Sequence, residues 1–212
     1  MSDKQEYQGS QVTIYFEAKK CIHSQNCVLT LPDVFRANVE GSWVFPDNAE
    51  PEEIVSLAHM CPSGAITYKR HDNNKEEKPP AVNTVRILEN GPLAVHADIQ
   101  IDGQQPTCRA TLCRCGASQN KPYCDGRHKI IEFEATGEPP TQAFEPLDVR
   151  GGPLKISPAQ DGPLLVNGNV ELIAGTGRTL LRTQQTALCR CGASKNKPYC
   201  DGSHVEIKFT TE

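Results

Sequence analysis

Three cysteines and a histidine recur at one spacing, C-x-C-x8-C-x3-H, at two places in the chain. The first set is Cys113, Cys115, Cys124 and His128; the second is Cys189, Cys191, Cys200 and His204. The sixteen-residue stretches 113–128 and 189–204 differ at two positions only, Gln119 against Lys195 and Arg127 against Ser203. Three soft thiolates and an imidazole make a four-donor set for one metal centre, either an iron–sulfur cluster or zinc. The C-x-C pair places two thiolates close enough to grip one iron. The C-x3-H pair brings two side chains together across a helical turn. Zinc sites more commonly open on C-x2-C, so the spacing favours iron–sulfur.

Each set has residues placed to support it. Asp125 and Asp201 precede a glycine, where a carboxylate accepts backbone N–H groups and caps a turn. Ser118 and Ser194 are positioned to donate hydrogen bonds within the loop, and Pro122 and Pro198 stiffen the approach to the third cysteine. Near the N-terminus a third group consists of Cys21, Cys27 and the distant Cys61, with His23 and Ser24 between the first two. Of the ten cysteines only Cys108 falls outside these groups. It reads as a buried or free thiol; His59 lies two residues before Cys61, but a helix points those side chains apart, and His71 and His96 have no ligand partners close by in sequence.

The elements that hold these residues fall into two parts. The chain has 212 residues, enough for one large domain or two smaller ones. Residues 1–70 are expected to form one domain, 71–84 a linker, 85–140 a first repeat and 141–212 a second. The linker reading rests on the charged, apolar-free run from His71 to Lys78, which ends in Pro79-Pro80. In the front domain Val12–Phe16 reads as a strand, a short helical segment starts at Pro32, and Ser42–Phe45 reads as a second strand. A helix is expected from Pro51, capped by Asn48 or Glu50, with Glu52 and Glu53 in its first turn. It stops at Cys61-Pro62-Ser63-Gly64, ahead of a last strand over Ala65–Tyr68.

The duplication extends beyond the motifs. Asn90–His96 aligns with Asp161–Asn167, and alternating apolar runs follow each. From Pro92 to Cys113 is 21 residues and from Pro163 to Cys189 is 26. The glycine-rich turn Ala174–Arg178 accounts for the insertion. Each repeat is expected to close on a strand, Ile130–Phe133 and Val205–Phe209. Two such units pack best about a pseudo-twofold axis, which favours a monomer. The fold class expected is therefore α+β, a small α+β domain followed by a mostly-β duplicated one.

The front segment resembles the divergent monocluster ferredoxins, on its Cys-x-His…Cys pattern over residues 21–27 and its Cys61-Pro-Ser-Gly-Ala65 run. The resemblance implies that Cys21, Cys27 and Cys61 ligate one [3Fe-4S] or [4Fe-4S] cluster. Ser24 stands where that family's middle cysteine would be, so His23, Ser24 and water remain open as a fourth ligand. The two motifs ending in Cys-Asp-Gly-Arg-His128 and Cys-Asp-Gly-Ser-His204 resemble the CDGSH iron–sulfur (mitoNEET-like) family. That resemblance implies two [2Fe-2S] clusters. Cys113 with Cys115, and Cys189 with Cys191, would hold the inner irons; Cys124 with His128, and Cys200 with His204, would hold the outer ones. Arg127 departs from the family signature and adds a positive charge beside the first cluster.

A histidine ligand removes one negative charge and raises the reduction potential. All-cysteine plant-type clusters lie near about −400 mV and two-histidine centres at roughly −150 to +300 mV, with one histidine falling between. Imidazole also titrates near neutral pH, which couples reduction to protons and makes such a cluster acid-labile. The expected role is one-electron transfer, with cluster transfer or redox sensing, and service as the electron-feeding subunit of an oxidoreductase, as alternatives. The expected partner is a redox protein or an apo iron–sulfur acceptor. Arg109, Arg114, Lys121 and Arg127 around the first motif, and Arg190, Lys195 and Lys197 around the second, read as solvated surface charge. The alternative is a patch that guides an acidic partner. The net charge of −4, concentrated in residues 1–70, argues against nucleic acid. No phosphate loop, nucleophile elbow or HExxH pair points to an enzyme. The polar N-terminus carries no secretory signal and no apolar run spans a membrane, so a cytoplasmic location is expected.

Overall fold

β-branched and aromatic residues at alternate positions build the first sheet, and a proline-started helix covers it. The computed structural model describes residues 4–72 and 77–211. It divides into two compact units, Met1–Lys78 and Pro79–Glu212. In the first, β1 (Lys4–Gln8), β2 (Val12–Glu17) and β3 (Ile66–Arg70) form an antiparallel sheet in that order. β1 escapes sequence reading because it is a polar edge strand with almost no buried residue. Helix α2 (Pro51–Met60) starts in a capping box, the Glu50 backbone N–H donating to the Glu53 carboxylate at 3.0 Å. It buries Ile54, Leu57 and Ala58 against Val12, Ile14, Ile66 and Tyr68.

Two expectations for this unit need correction. The short helix is α1 (Asn26–Thr30), and Pro32–Val34 is a turn. Pro32 has no N–H to donate, so the helix ends before it, and the Val34 and Phe35 N–H groups fold back on the Leu31 carbonyl. Ser42–Phe45 is no strand but a single bridge, Phe35 to Val44, followed by a 3-10 turn over Pro46–Asn48. Trp43 packs edge-on against Phe16 at 4.9 Å instead. Of the expected linker, residues 73–76 lie outside the described residues.

The second unit is a single six-stranded sheet: β4 (Thr84–Ile87), β5 (Leu93–Ile101), β6 (Thr107–Leu112), β7 (Pro153–Pro158), β8 (Leu164–Ile173) and β9 (Thr179–Leu188). Within each repeat the neighbours are antiparallel. Across the repeats β4 runs parallel to β8 and β7 runs parallel to β5. Each repeat thus lends its first strand to the other, and Val85, Ile87, Val95, Ile99, Leu154, Ile156, Val166 and Leu172 share one core. Asn83, fully buried, fastens this exchange: its amide donates to the Gly152 and Asn169 carbonyls at 2.8 and 2.9 Å. Ala174–Arg178 turns as expected, the Ala174 N–H donating to the Arg178 carbonyl at 2.8 Å. Among the described residues no helix is long and apolar enough to cross a membrane.

The strands expected to close each repeat are absent. α3 (Arg127–Ile130) and α4 (Ser203–Glu206) are single helical turns, and the chain leaves each through a left-handed residue, Glu132 or Lys208. The Phe133 N–H then donates to the His128 carbonyl and the Phe209 N–H to the His204 carbonyl, both at 2.9 Å. This six-to-one closure is a Schellman-type stop. The β-branched residues that read as strand, Ile130, Ile131, Val205 and Ile207, are exposed on the outside of these turns.

Candidate metal centres

β6 runs straight into the first donor. Cys113 is buried at its end, and the loop that follows folds back onto the strand: the Cys113 N–H donates to the Pro122 carbonyl at 2.8 Å and the Cys124 N–H to the Thr111 carbonyl at 2.9 Å. Cys113 and Cys115 Sγ lie 3.8 Å apart. Gly126 then takes the left-handed turn that lets α3 begin, and His128 Nδ1 lies 3.3 Å from Cys124 Sγ. The second motif repeats this at the end of β9, with Cys189 and Cys191 Sγ 3.7 Å apart and His204 Nδ1 3.5 Å from Cys200 Sγ. The donors therefore come as two pairs per motif. Among the described residues no three of them converge on a single-ion site.

The supporting residues act as their types require. The Ser118 hydroxyl donates to the Tyr123 carbonyl at 2.6 Å and the Ser194 hydroxyl to the Tyr199 carbonyl at 2.7 Å. Asp125 accepts the Gln119 and Arg127 N–H groups at 2.8 and 3.1 Å, and Asp201 accepts those of Lys195 and Ser203 at 2.7 and 3.0 Å. Arg127 turns away from the donors, its Nε 3.3 Å from Asp125 and its other end on the Gln119 side chain. The hydrogen bond from Cys115 pulls the Cys113 thiol down to about 6 while Cys115 is pushed up, and burial pushes Cys124 up to about 11. The first C-x-C pair thus holds its first proton loosely, as metal binding needs, whereas burial raises the Cys189 thiol of the second. Burial lowers His128. His128 and Cys124 are buried, whereas His204 and Cys200 are only half-buried.

The two loops meet back to back. Cys115 and Cys191 form an isolated antiparallel bridge, and Gly116 and Gly192 flank it with φ of 84° and 83°. A Cβ on Gly116 would lie 2.5 Å from the Cys191 carbonyl oxygen, and one on Gly192 equally close to that of Cys115. Beside this bridge the reading of surface charge fails for three arginines. Arg109, Arg114 and Arg190 are buried, Arg114 at 1 % exposure. Arg114 donates to the carbonyls of Leu88, Gly91, Ala135 and Thr136. Arg190 donates to those of Ala159 and Gly162. Lys121 and Lys197 are also engaged, their ammonium groups donating to the Ser118 and Ser194 carbonyls.

In the first unit Cys21, Cys27 and Cys61 line one cavity of about 400 Å3, together with His23, Ser24, Trp43 and Ser63. The left-handed residues His23 and Gln25 turn the loop around it, and the His23 N–H points to Cys21 Sγ at 3.4 Å. Cys61 is brought in from the far end of α2. Burial raises the Cys21 and Cys27 thiols, and mutual repulsion with Cys61 adds to it. Ser63, buried, stands 3.6 Å from Cys61 Sγ and went unnoticed in the sequence. His59 faces Tyr68, its Nε2 3.1 Å from the hydroxyl, and takes no part.

The family model for the iron-binding CDGSH type zinc finger matches residues 90–129 and again 161–205, and the divergent 4Fe-4S mono-cluster model matches 7–71. The CDGSH iron-sulfur domain-containing protein 1 of Rattus norvegicus is 32 % identical over 85 residues, 40 % of this chain and 74 % of that protein. The chain belongs to the CDGSH iron–sulfur family. The Mus musculus protein of the same description as the rat one matches to the same extent. This CDGSH protein is also similar to the uncharacterized protein YjdI of Escherichia coli (strain K12), 33 % identical over 63 residues, 30 % of this chain and 82 % of that one. The donors fit the group that the family implies. A cavity of about 400 Å3 beside three thiols exceeds, by an order of magnitude, the roughly 30 Å3 share of a single water. The paired donors of each CDGSH motif suit two metal atoms better than one.

Proposed function

We propose that this iron–sulfur protein is a one-electron carrier with two [2Fe-2S] clusters and one ferredoxin-like cluster, [3Fe-4S] or [4Fe-4S]. Bound clusters would supply the one-electron redox chemistry; the chain's residues decide where they sit and at what potential. Cys113, Cys115, Cys124 and His128 would hold the first [2Fe-2S] cluster, and Cys189, Cys191, Cys200 and His204 the second. Cys21, Cys27 and Cys61 would hold the third, with His23 or Ser24 as candidate fourth ligand. The observation that carries the reading is the Cys115–Cys191 backbone bridge. It joins the two ligand loops through main chain alone, a short and rigid route between inner ligands. Strand exchange within one chain satisfies what a second copy would otherwise supply, so we propose a monomer.

Electron paramagnetic resonance with iron counting on oxidised and reduced protein tests this reading. About two irons per CDGSH motif and reversible reduction with clusters intact are expected; zinc in the motifs, or loss of iron on the first reduction cycle, sinks it. One observation favours a second reading, cluster donation: His204 and Cys200 are half-buried, open to an acceptor. Mixing with an apo-ferredoxin separates the two, since only a donor loses its colour to the acceptor.

A further inference from the structure

A hydroxyl shut away from water needs a partner for its proton, because a buried donor left unmade is penalised. Ser63 is such a group, 2 % exposed, just beyond the end of α2. The chain turns there. The Gly64 N–H donates to the Cys61 carbonyl at 3.3 Å, and Gly64 takes a left-handed φ of 66°. Within the turn the Ala65 N–H donates to Ser63 Oγ at 3.3 Å, which makes the oxygen an acceptor and holds the side chain in place. The hydroxyl proton is left to find an acceptor of its own. Cys61 Sγ stands 3.6 Å away, within reach for sulfur, a larger and softer acceptor than oxygen.

Both groups line the cavity that Cys21 and Cys27 share. Which of the two donates depends on the state of Cys61. A thiol carries a proton that it can give to the hydroxyl; a thiolate on iron carries none, so Ser63 is then the donor. Three other donor sulfurs accept main-chain N–H groups: Cys21 from His23, Cys124 from Gly126 and Cys191 from Ala193, each at 3.4 Å. Contacts of that kind follow from the path of the chain and hold for almost any side chain. The contact to Cys61 depends on which residue stands at position 63.

We infer that Ser63 is a tuning residue of the front centre: its hydroxyl donates to the Cys61 thiolate and holds the potential above that of the same three-cysteine centre without it. The inference rests on the reading that Cys21, Cys27 and Cys61 ligate that cluster. Reduction adds one electron to a centre whose three thiolates already carry negative charge. A donor fixed beside one of those sulfurs stabilises the reduced state more than the oxidised one, and the potential rises. In this role Ser63 tunes and does not ligate.

Redox titration of the full chain, with electron paramagnetic resonance reading the front centre, is the test. Ser63→Ala is expected to lower its reduced-to-oxidised ratio about tenfold at fixed potential. For a one-electron couple that is about 59 mV. Ser63→Thr, which keeps the hydroxyl, should restore most of the ratio. Both variants should match the parent in iron content and signal type, and the two CDGSH motifs, in the other unit, serve as internal reference with ratios that do not move. Should the alanine variant fail to retain iron, Ser63→Cys decides. Its side chain is nearly the same size but a weaker donor, so the ratio should fall by a smaller factor under the parent's signal. An unmoved ratio, an equal fall in the threonine variant, or a new signal showing that residue 63 binds iron overturns the inference. A parent with both CDGSH motifs filled but no iron in the front unit overturns the underlying reading instead.

Discussion

Cys115 and Cys191 pair through an antiparallel backbone bridge, so the two ligand loops proposed for the motifs are main-chain neighbours although these cysteines are 76 residues apart in sequence. The approach is possible only because glycine follows each. Gly116 combines a φ of 84° with a Cβ position 2.5 Å from the Cys191 carbonyl oxygen. Gly116→Ala is therefore expected to destabilise the second unit by about 1–3 kcal/mol from the left-handed backbone alone, with the clash added. The loss should reach both motifs. Denaturant unfolding followed by visible absorbance checks it; a variant that loses only the first cluster contradicts the back-to-back arrangement.

The two motifs match in sequence at fourteen of sixteen positions, yet their outer donors differ in access. His128 is 8 % and Cys124 3 % exposed, while His204 and Cys200 are half-buried. A chelator should accordingly strip the second motif first, in a biphasic time course. With His128→Cys as a spectral marker, the fast phase should belong to the unmarked cluster. A single phase, or early loss of the marked one, would show that access does not govern release.

That these side chains would meet was legible because their spacings are local. C-x-C and C-x3-H bring donors together within one turn whatever the surrounding fold, and Asp125 and Ser118 act on loop atoms a few residues away. The burial of Arg114 was not, because the carbonyls that accept its hydrogen bonds lie 21 to 26 residues away in sequence. Its one sequence trace is an arginine enclosed by two cysteines in both copies. Ile130, Ile131, Val205 and Ile207 misled for the opposite reason. Their β-branched side chains favour strands, but the preceding histidine must turn back to its cysteine, and that constraint overrides propensity.

Exchange of the histidine ligands tests what sets the potentials. His128→Cys replaces a neutral donor by a thiolate, and that motif's potential should fall toward the about −400 mV of all-cysteine plant-type clusters. Redox titration followed by electron paramagnetic resonance reads the shift for each motif. Unmoved potentials would remove the imidazoles from the coordination spheres.

Ser24 lines the cavity that Cys21, Cys27 and Cys61 share. Ser24→Cys places a fourth thiol in the loop between the first two. The front centre is then expected to become a [4Fe-4S] cluster stable in air, with any [3Fe-4S] signal in the oxidised parent abolished. A persisting oxidised-state signal would mean that position 24 does not reach the open iron.

Asn90 and Asp161 occupy equivalent left-handed positions, with φ of 49° and 47°. Asn90 accepts the Ala135 N–H at 2.9 Å; Asp161 accepts both the N–H and the hydroxyl of Thr211 at 2.8 and 2.9 Å. Those hydrogen bonds hold the Asp161 carboxyl below its ordinary 3.8. A carboxyl whose folded pKa is depressed stabilises the fold fully above the unfolded value, and its contribution is lost as pH falls through the folded value. Anchoring of the segment at Thr211 should therefore be constant above about pH 5 and weaken below about pH 4. Asp161→Asn keeps an acceptor there and has no proton to gain, so its anchoring should no longer respond to acid. Hydrogen exchange of the C-terminal peptide between about pH 5 and pH 3, in parent and variant side by side, reads the difference. The same acid response in both would place the sensitive group elsewhere.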